Sequence, residues 1–106
     1  MTRVFKALAD PTRRRVLELL QRRPMGAGDL ADEFDVAKPT MSAHFAVLLA
    51  ADLIEADKAG RSITYRLKMS VLEEALLAFA QTVGLRLQVS EEKPTLARAR
   101  ARRQTS

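Results

Sequence analysis

The apolar residues in the first part of the chain recur at helical spacing. They predict a short helix over residues 2–9 and a longer one over residues 12–21, where valine and leucine side chains share one face. Asp10 and Pro11 form a start signal for the second helix, because aspartate caps helix N-termini and proline suits the first turn. Pro24 disfavours helical geometry in the residue before it. The chain therefore opens as two helices joined at a short corner.

Two short helices follow at the spacing of a helix-turn-helix. Residues 25–28 predict a turn, and residues 27–34 predict a short helix. Residues 35–38 form the next turn, and Pro39 opens a helix over residues 39–51. Two short helices with a turn of three or four residues match the helix-turn-helix, whose second helix enters the major groove of DNA. The residues predicted to face inward from this second helix are Met41, Phe45, Leu48 and Leu49.

The periodicity changes from helical to alternating after Asp52. Residues 53–59 predict one strand, and residues 63–67 alternate apolar and polar side chains as a second strand does. Residues 60–62 lie between them as the tip of a hairpin. A helix-turn-helix followed directly by a two-stranded hairpin has the element order of a winged helix.

The last predicted helix carries more apolar surface than one small core needs. Ser70 is predicted to cap it. The surplus predicts a surface for a partner. The predicted fold is therefore mainly α with a small β-hairpin, a winged helix-turn-helix with a partner surface on its last helix. The apolar stripe of the last helix consists of Leu72, Leu76, Phe79, Val83 and Leu87.

The positive charge is concentrated at the C-terminal end of the chain. The 106 residues carry a net charge of +5, but residues 1–85 hold 12 basic and 11 acidic side chains, whereas residues 86–106 hold 6 and 2. The low-complexity, arginine-rich end has the composition of a disordered segment. We therefore predict one folded domain over residues 1–88 and a basic, disordered tail over residues 89–106.

The composition argues against several classes of protein. There is no cysteine, which excludes disulfides and thiolate metal sites. With one histidine and no glycine-rich phosphate loop, the chain offers no catalytic set, and we expect no enzyme activity. The N-terminus lacks the apolar run of a signal peptide, and the longest apolar stretch, residues 45–51, is too short to cross a bilayer. We expect a cytoplasmic protein without membrane insertion.

Three segments resemble the ArsR/SmtB family of bacterial repressors. Residues 5–14, FKALADPTRR, are similar to the opening of that family. Residues 38–45, KPTMSAHF, resemble its recognition helix, where the pattern S-x-H-L is common and Phe45 here replaces the leucine. Residues 60–67, GRSITYRL, resemble its wing. The resemblance covers roughly residues 4–85 and implies a dimeric winged-helix repressor that pairs through its first and last helices. Residues 1–88 are then expected to form one DNA-binding and dimerisation domain.

The residues that bind metal ions in that family are missing from this chain. The positions of the paired cysteines in the family's metal box correspond to Gly26 and Gly28. Another family site uses Asp and His on the last helix, which has no histidine here. Zinc and related metals need several converging ligands. The chain therefore resembles the metal-independent, Sdp-type autorepressor branch, and we expect no metal and no other cofactor.

The outward face of the helix over residues 39–51 is predicted to contact double-stranded DNA. The chain has no acidic residue between Asp35 and Asp52, and the side chains on this face are small and weakly charged. An ordinary solvated helix face carries Glu/Lys pairs instead. Hydroxyls and a lysine can read base edges or bind phosphate, and small apolar groups can meet thymine methyls. For His44, a DNA contact and a structural hydrogen bond both stay open. The candidate residues are Lys38, Thr40, Ser42, Ala43 and His44, with Val47 beside them.

Basic residues outside that helix add further candidates. Lys58 and Arg61 bracket the hairpin tip, and Arg61 is predicted to enter the minor groove or bind a phosphate. Arg13, Arg14 and Arg15 point about 100° apart on a helix and form no single patch. Of these, Arg13 is predicted to contact backbone phosphate, and the other two are predicted to lie in solvent or in salt bridges.

Two functions are compatible with these features. The first is a homodimeric, sequence-specific DNA-binding repressor on an inverted repeat, whose regulator, if one exists, is an unidentified protein or small molecule. The second is a protein-interaction winged helix that does not read DNA sequence. The wide apolar stripe of the last helix favours the second function, and the acid-free recognition helix and hairpin tip favour the first.

Overall fold

Five helices and a three-stranded antiparallel sheet make up residues 2–87, the part of the chain that the computed structural model describes. This confirms the mainly helical fold with a β-hairpin. The tail predicted over residues 89–106 lies outside the described residues. In chain order the elements are α1 (Thr2–Leu8), α2 (Pro11–Arg22), β1 (Met25–Gly26), α3 (Ala27–Ala31), α4 (Lys38–Ala50), β2 (Ile54–Ala59), β3 (Ser62–Leu67) and α5 (Met69–Thr82).

Asp10 caps helix α2 as the sequence predicts. Its Oδ1 atom accepts hydrogen bonds from the backbone N–H groups of Thr12 at 2.7 Å and Arg13 at 3.2 Å. Pro11 occupies the first turn, where its missing N–H costs no helical hydrogen bond. Partial desolvation raises the pKa of Asp10, but the hydrogen bonds from Arg13 and Thr12 outweigh it and hold the pKa below the ordinary value of 3.8.

We expect Asp10→Asn to flatten the acidic part of the stability profile. Since the folded carboxyl has a lowered pKa, its contribution is complete above the unfolded value of about 3.9 and is lost as the pH falls through the folded value. Asparagine caps a helix about as well but does not titrate. Urea unfolding between about pH 5 and pH 2 should therefore show that the free energy of unfolding falls more in the wild type than in Asp10→Asn. An identical pH dependence, or an equal flattening by the exposed control Asp35→Asn, would contradict this expectation.

The sheet contains a strand that the sequence does not predict. Met25 and Gly26, expected in a turn, form β1 and pair with Tyr65 and Thr64 of β3. The strand order is β1-β3-β2, so β3 lies at the centre. Two residues are too few for an alternating pattern, which explains why periodicity missed β1.

The hairpin tip is shorter than predicted. Ser62 belongs to β3 and pairs with Ala59, which leaves Gly60 and Arg61 as a two-residue loop. Gly60 has a φ of +62°. A glycine at the first central position is typical of a type II′ turn, whose twist matches that of the flanking strands.

The ends of α3 and α5 differ from the predictions. Helix α3 ends at Ala31 rather than at residue 34. Lys68, not Ser70, is the N-cap residue of α5. Gly84, with a φ of +76°, stops α5 at Thr82. Leu87 of the predicted stripe therefore lies beyond the helix, because the left-handed glycine terminates α5 before that residue.

The core lies between the helices and one face of the sheet. Leu30, Leu48 and Leu53 are completely buried. Leu49, predicted to face inward, is 37% exposed, because adjacent helical positions point 100° apart and Leu48 takes the central place. No helix within residues 2–87 is long and apolar enough to cross a membrane.

A set of exposed large apolar side chains lies on one side of α5. Leu76, Phe79 and Val83 are 38%, 44% and 57% exposed, and helical spacing places them within one sector of the helix. The ring of Phe79 lies 5.2 Å from that of Phe5 on α1, centroid to centroid. We call these four residues the α1–α5 patch.

Candidate nucleic-acid interface

Helix α4 presents a continuous surface of small and polar side chains. Its buried side consists of Met41, Phe45 and Leu48, which anchor it to the core. Val47 is half-buried and packs against the core, so its contact with a thymine methyl stays a prediction. The exposed residues of α4 include four of the predicted candidates, Lys38, Thr40, Ser42 and Ala43, together with Pro39, Ala46 and Ala50, which were not predicted.

The polar groups on this surface are available to a ligand. Within residues 2–87, the hydroxyls of Thr40 and Ser42 form no hydrogen bond with the protein. Lys38 is exposed and forms no ion pair in the same range. The helix thus offers two hydroxyls and one ammonium group without disrupting a contact of its own, and these groups match the donors and acceptors of base edges.

The sheet holds α4 in a fixed position relative to the hairpin. The ring of Phe45 lies 4.9 Å from that of Tyr65 on β3, centroid to centroid. Burial raises the pKa of the Tyr65 phenol above its ordinary value of 10.0. The same residues, with Ser42 and Lys38, line a groove between α3, α4 and β3. Any surface formed by α4 and the hairpin is therefore built on one packed unit.

The basic residues of the hairpin fall into two groups. Lys58 and Arg61 are exposed beside the tip and form no ion pair within residues 2–87. Arg66 instead donates from Nε and Nη2 to Asp57 Oδ2 at 3.0 and 2.9 Å, and Glu55 lies 3.9 Å away. The hairpin therefore has free positive charge only near its tip, among the described residues.

Lys68, which follows β3, is also paired. Its Nζ atom donates to Asp52 Oδ1 at 2.8 Å. This hydrogen bond and the charge of Asp52 raise the pKa of Lys68 above 10.5, against a smaller opposing effect of desolvation. Arg66 and Lys68 are thus engaged in ion pairs that stabilise the hairpin.

Acidic side chains in and directly after α3 lie beside α4 and the hairpin tip, although these two segments contain no acidic residue of their own. Asp29 of α3 lines the same surface groove as Arg61, and Asp32 lines the groove that contains Lys38. These carboxylates reduce the local positive potential. The interface therefore offers few free cations, chiefly Lys38, Lys58 and Arg61, and we expect DNA binding with a modest salt dependence.

Arg13 connects three elements instead of pointing freely into solvent. Its Nε donates to the carbonyl of Ala7 at 2.8 Å, and its Nη2 donates to the carbonyl of Lys6 at 3.1 Å. Its Nη1 lies 3.0 Å from Nδ1 of His44 on α4. The structural hydrogen bond that was one of the two open roles for His44 is therefore present. The DNA contacts predicted for Arg13 and His44 stay predictions.

The other two arginines of the run have separate partners. Arg14 Nη1 donates to the carbonyl of Leu8 at 2.8 Å, and Arg15 pairs with Glu18 at 3.0 Å. Arg13 and Arg14 together donate to the last carbonyls of α1, of which that of Lys6 also accepts from the backbone N–H of Ala9 at 3.2 Å. The Arg13–His44 contact spans 31 positions of the sequence, and no local pattern indicates it.

Metal-binding geometry is not found among the described residues. Within residues 2–87, no three His, Cys, Asp or Glu side chains are grouped so that they could hold a metal ion. Gly26 is the N-cap residue of α3, and Gly28 lies in its first turn. These two positions thus serve the local backbone.

Comparisons with known proteins identify the family. A family model described as a helix-turn-helix domain matches residues 8–56. The transcriptional repressor SdpR of Bacillus subtilis is 42% identical over 76 residues, which is 72% of this chain and 84% of SdpR. The transcriptional regulator CmtR of Mycobacterium bovis is 34% identical over 97 residues, which is 92% of this chain and 80% of CmtR.

Solved structures agree with these sequence relatives. A crystal structure described as an ArsR family transcriptional regulator is 38% identical, with a TM-score of 0.69 over 78% of this chain and 93% of that one. An ArsR-like transcriptional regulator from Rhodococcus sp. RHA1 is 32% identical, with a TM-score of 0.68 over 78% of this chain and 77% of that one. This chain belongs to the ArsR family of winged helix-turn-helix transcriptional regulators.

Proposed function

We propose that this protein is a homodimeric repressor of transcription that binds double-stranded DNA in a sequence-specific manner. The observation that carries the proposal is the exposed, acid-free surface of α4, where the hydroxyls of Thr40 and Ser42 have no partner within residues 2–87. Ala43 and Lys38 complete this surface, and His44 lies at its edge. Groups of this kind read base edges in the major groove.

The hairpin provides the second point of contact. Arg61 and Lys58 are exposed at its tip, on the same packed unit as α4. With α4 in the major groove, the tip reaches the neighbouring backbone or minor groove, where arginine binds well. This arrangement favours a DNA reader over a protein-interaction module, which has no need for an acid-free α4.

The α1–α5 patch supports a homodimer. A lone small domain gains little from leaving large apolar groups such as Phe79 in water, and a second copy covers them symmetrically. The two copies of α4 then lie in successive major grooves, roughly 34–36 Å apart, on an inverted repeat. The dimer represses by blocking access of the polymerase to the promoter.

Regulation proceeds without a metal ion in this proposal. Glycines occupy the positions of the family's paired cysteines, and the similarity to SdpR fits the autorepressor branch. The promoter controlled is then the protein's own, in the cytoplasm. A protein or small-molecule regulator would act by favouring a weakly binding conformation.

Fluorescence anisotropy with DNA from upstream of the gene tests the proposal. Labelled duplex is titrated at 50 and 200 mM salt with and without shuffled competitor. We expect binding that survives competitor, with two protomers per duplex. Binding that competitor abolishes, or none at low salt, would overturn the proposal in favour of the interaction module.

The salt dependence also tests the wing contact. We expect Arg61→Gln to reduce the slope of log K against log salt by about 1, because one phosphate contact and its counterion release are lost. Arg15→Gln is the matched control, since Arg15 is already paired with Glu18 on α2. An unchanged slope for Arg61→Gln, or an equal reduction for both variants, would remove Arg61 from the interface.

A further inference from the structure

We propose that Arg13 is a positioning residue that fixes the tautomer of His44, so that the imidazole presents its Nε2–H group to a phosphate of bound DNA. The DNA part of this inference rests on the proposed function, and the tautomer part concerns the free protein alone. The observations that carry it are three hydrogen bonds of one guanidinium group and the place of His44 on α4.

The orientation of the guanidinium is determined by α1. Two of its three nitrogens donate to the consecutive carbonyls of Lys6 and Ala7. Because the group is planar, these two bonds fix the direction of the third nitrogen, Nη1. Nη1 then lies 3.0 Å from Nδ1 of His44. The end of α1 thus sets the direction from which His44 is approached.

The tautomer of His44 follows from this contact. Arginine only donates hydrogen bonds, so Nδ1 of His44 accepts and carries no proton. In a neutral imidazole the proton then resides on Nε2. Nε2 has no partner within residues 2–87 and remains available as a donor.

The place of His44 favours a phosphate over a base edge. The side chain is half-buried on the flank of α4 that faces α1 and α2, whereas Ala43 beside it is exposed. When a helix occupies the major groove, its flanks face the sugar-phosphate walls. A neutral N–H donor to phosphate adds affinity without releasing a counterion, so its loss leaves the salt slope unchanged.

Nitrogen NMR of the free protein provides the first test. His44 is the only histidine, so its two ring nitrogens give an unambiguous spectrum. In alkaline buffer we expect an unprotonated Nδ1 and a protonated Nε2. A predominant Nδ1–H tautomer in the wild type would overturn the proposal.

Two lysine substitutions distinguish the positioning of His44 from a general stabilisation of the junction between α1 and α2. Arg13→Lys keeps the charge, but its three N–H groups lie on a single nitrogen and cannot reproduce the planar fork that binds Lys6, Ala7 and His44 together, and we expect a mixture of tautomers. Arg14→Lys removes a comparable bond to α1, from Arg14 to the Leu8 carbonyl, without touching His44, and we expect the wild-type tautomer. If both variants keep the wild-type tautomer, or if both show a mixture, Arg13 does not set the tautomer.

DNA titrations provide the second test. We expect Arg13→Lys and His44→Asn each to weaken operator binding by about three- to tenfold, uniformly across operator variants and with an unchanged salt slope. His44→Asn keeps an acceptor for Arg13 but lacks the Nε2 donor, so its fold is preserved. A reduced slope in Arg13→Gln that lysine restores would make Arg13 itself the phosphate contact. Relaxed specificity at one base pair in His44→Asn would make His44 a base reader.

These outcomes are separable from failure of the proposed function. If the wild type has the expected tautomer but binds no DNA specifically, the positioning by Arg13 stands and the repressor proposal fails. If DNA binds specifically but His44→Asn binds as the wild type does, the repressor proposal stands and the phosphate contact fails.

Discussion

A single charge in the α1–α5 patch should convert the proposed dimer into a monomer. We expect Phe79→Glu to do so at micromolar concentration, because the two-fold axis would bring two unpaired carboxylates into an apolar interface, where desolvation is costly. Light scattering coupled to size-exclusion chromatography measures the mass directly. Phe79 is already 44% exposed, so the substitution leaves the protomer core intact.

The loss of the dimer should propagate to DNA. Two linked half-sites bind more tightly than one because the second contact is intramolecular, and we expect affinity for the full inverted repeat to fall by about 100-fold or more. Affinity for a single half-site should not change. Gln81→Glu is the matched control, since it places the same charge on an exposed position of α5 away from the patch. A dimeric Phe79→Glu, or equal effects of the two variants, would exclude this patch as the interface.

The second large effect concerns the support of the recognition helix. We expect Leu48→Ala to lower the free energy of unfolding by about 2–5 kcal/mol, because Leu48 is 0% exposed and its removal leaves a cavity behind α4. Urea unfolding followed by circular dichroism, at one fixed protein concentration, measures the change. A fixed concentration is needed because dimerisation contributes to stability by mass action.

The neighbouring leucine is the control for this substitution. Leu49 is 37% exposed on the same helix, and Leu49→Ala should cost less than about 1 kcal/mol. Similar costs for the two leucines would mean that the packing of α4 differs from that described. A cost for Leu49→Ala that is present at high protein concentration and disappears at low concentration would instead place Leu49 in the dimer interface.

The helical framework was predictable because its determinants are local. Asp10 and Pro11 mark the start of α2, and the stripe of Met41, Phe45 and Leu48 fixes the buried side of α4. These signals depend on residues within one or two turns of each other. The resemblance of the DPTRR and S-x-H segments added the dimer and the role as a repressor, which periodicity alone does not supply.

The missed features depend on contacts between distant segments. Strand β1 exists only because Tyr65 and Thr64 of β3 lie beside Met25 and Gly26. The partners of Arg66 and of Arg13 come from other elements, so no local pattern links Arg66 to Asp57 or Arg13 to His44. Adjacent positions such as Leu48 and Leu49 were equally apolar, and only packing distinguishes them.

The central position of β3 has a consequence for how DNA is selected. Because β1 leads directly into α3 and pairs with β3, the hairpin is tied to the helix-turn-helix and does not swing as a separate arm. Its distance from α4 is set before DNA arrives, which reduces the ordering cost of binding. In the proposed complex, in which α4 and the hairpin tip both contact DNA, the duplex must adapt its groove width to the fixed distance between these two elements. Base pairs between the two contacts, which neither element touches, then influence affinity through the energy needed to bend the duplex or narrow its groove there.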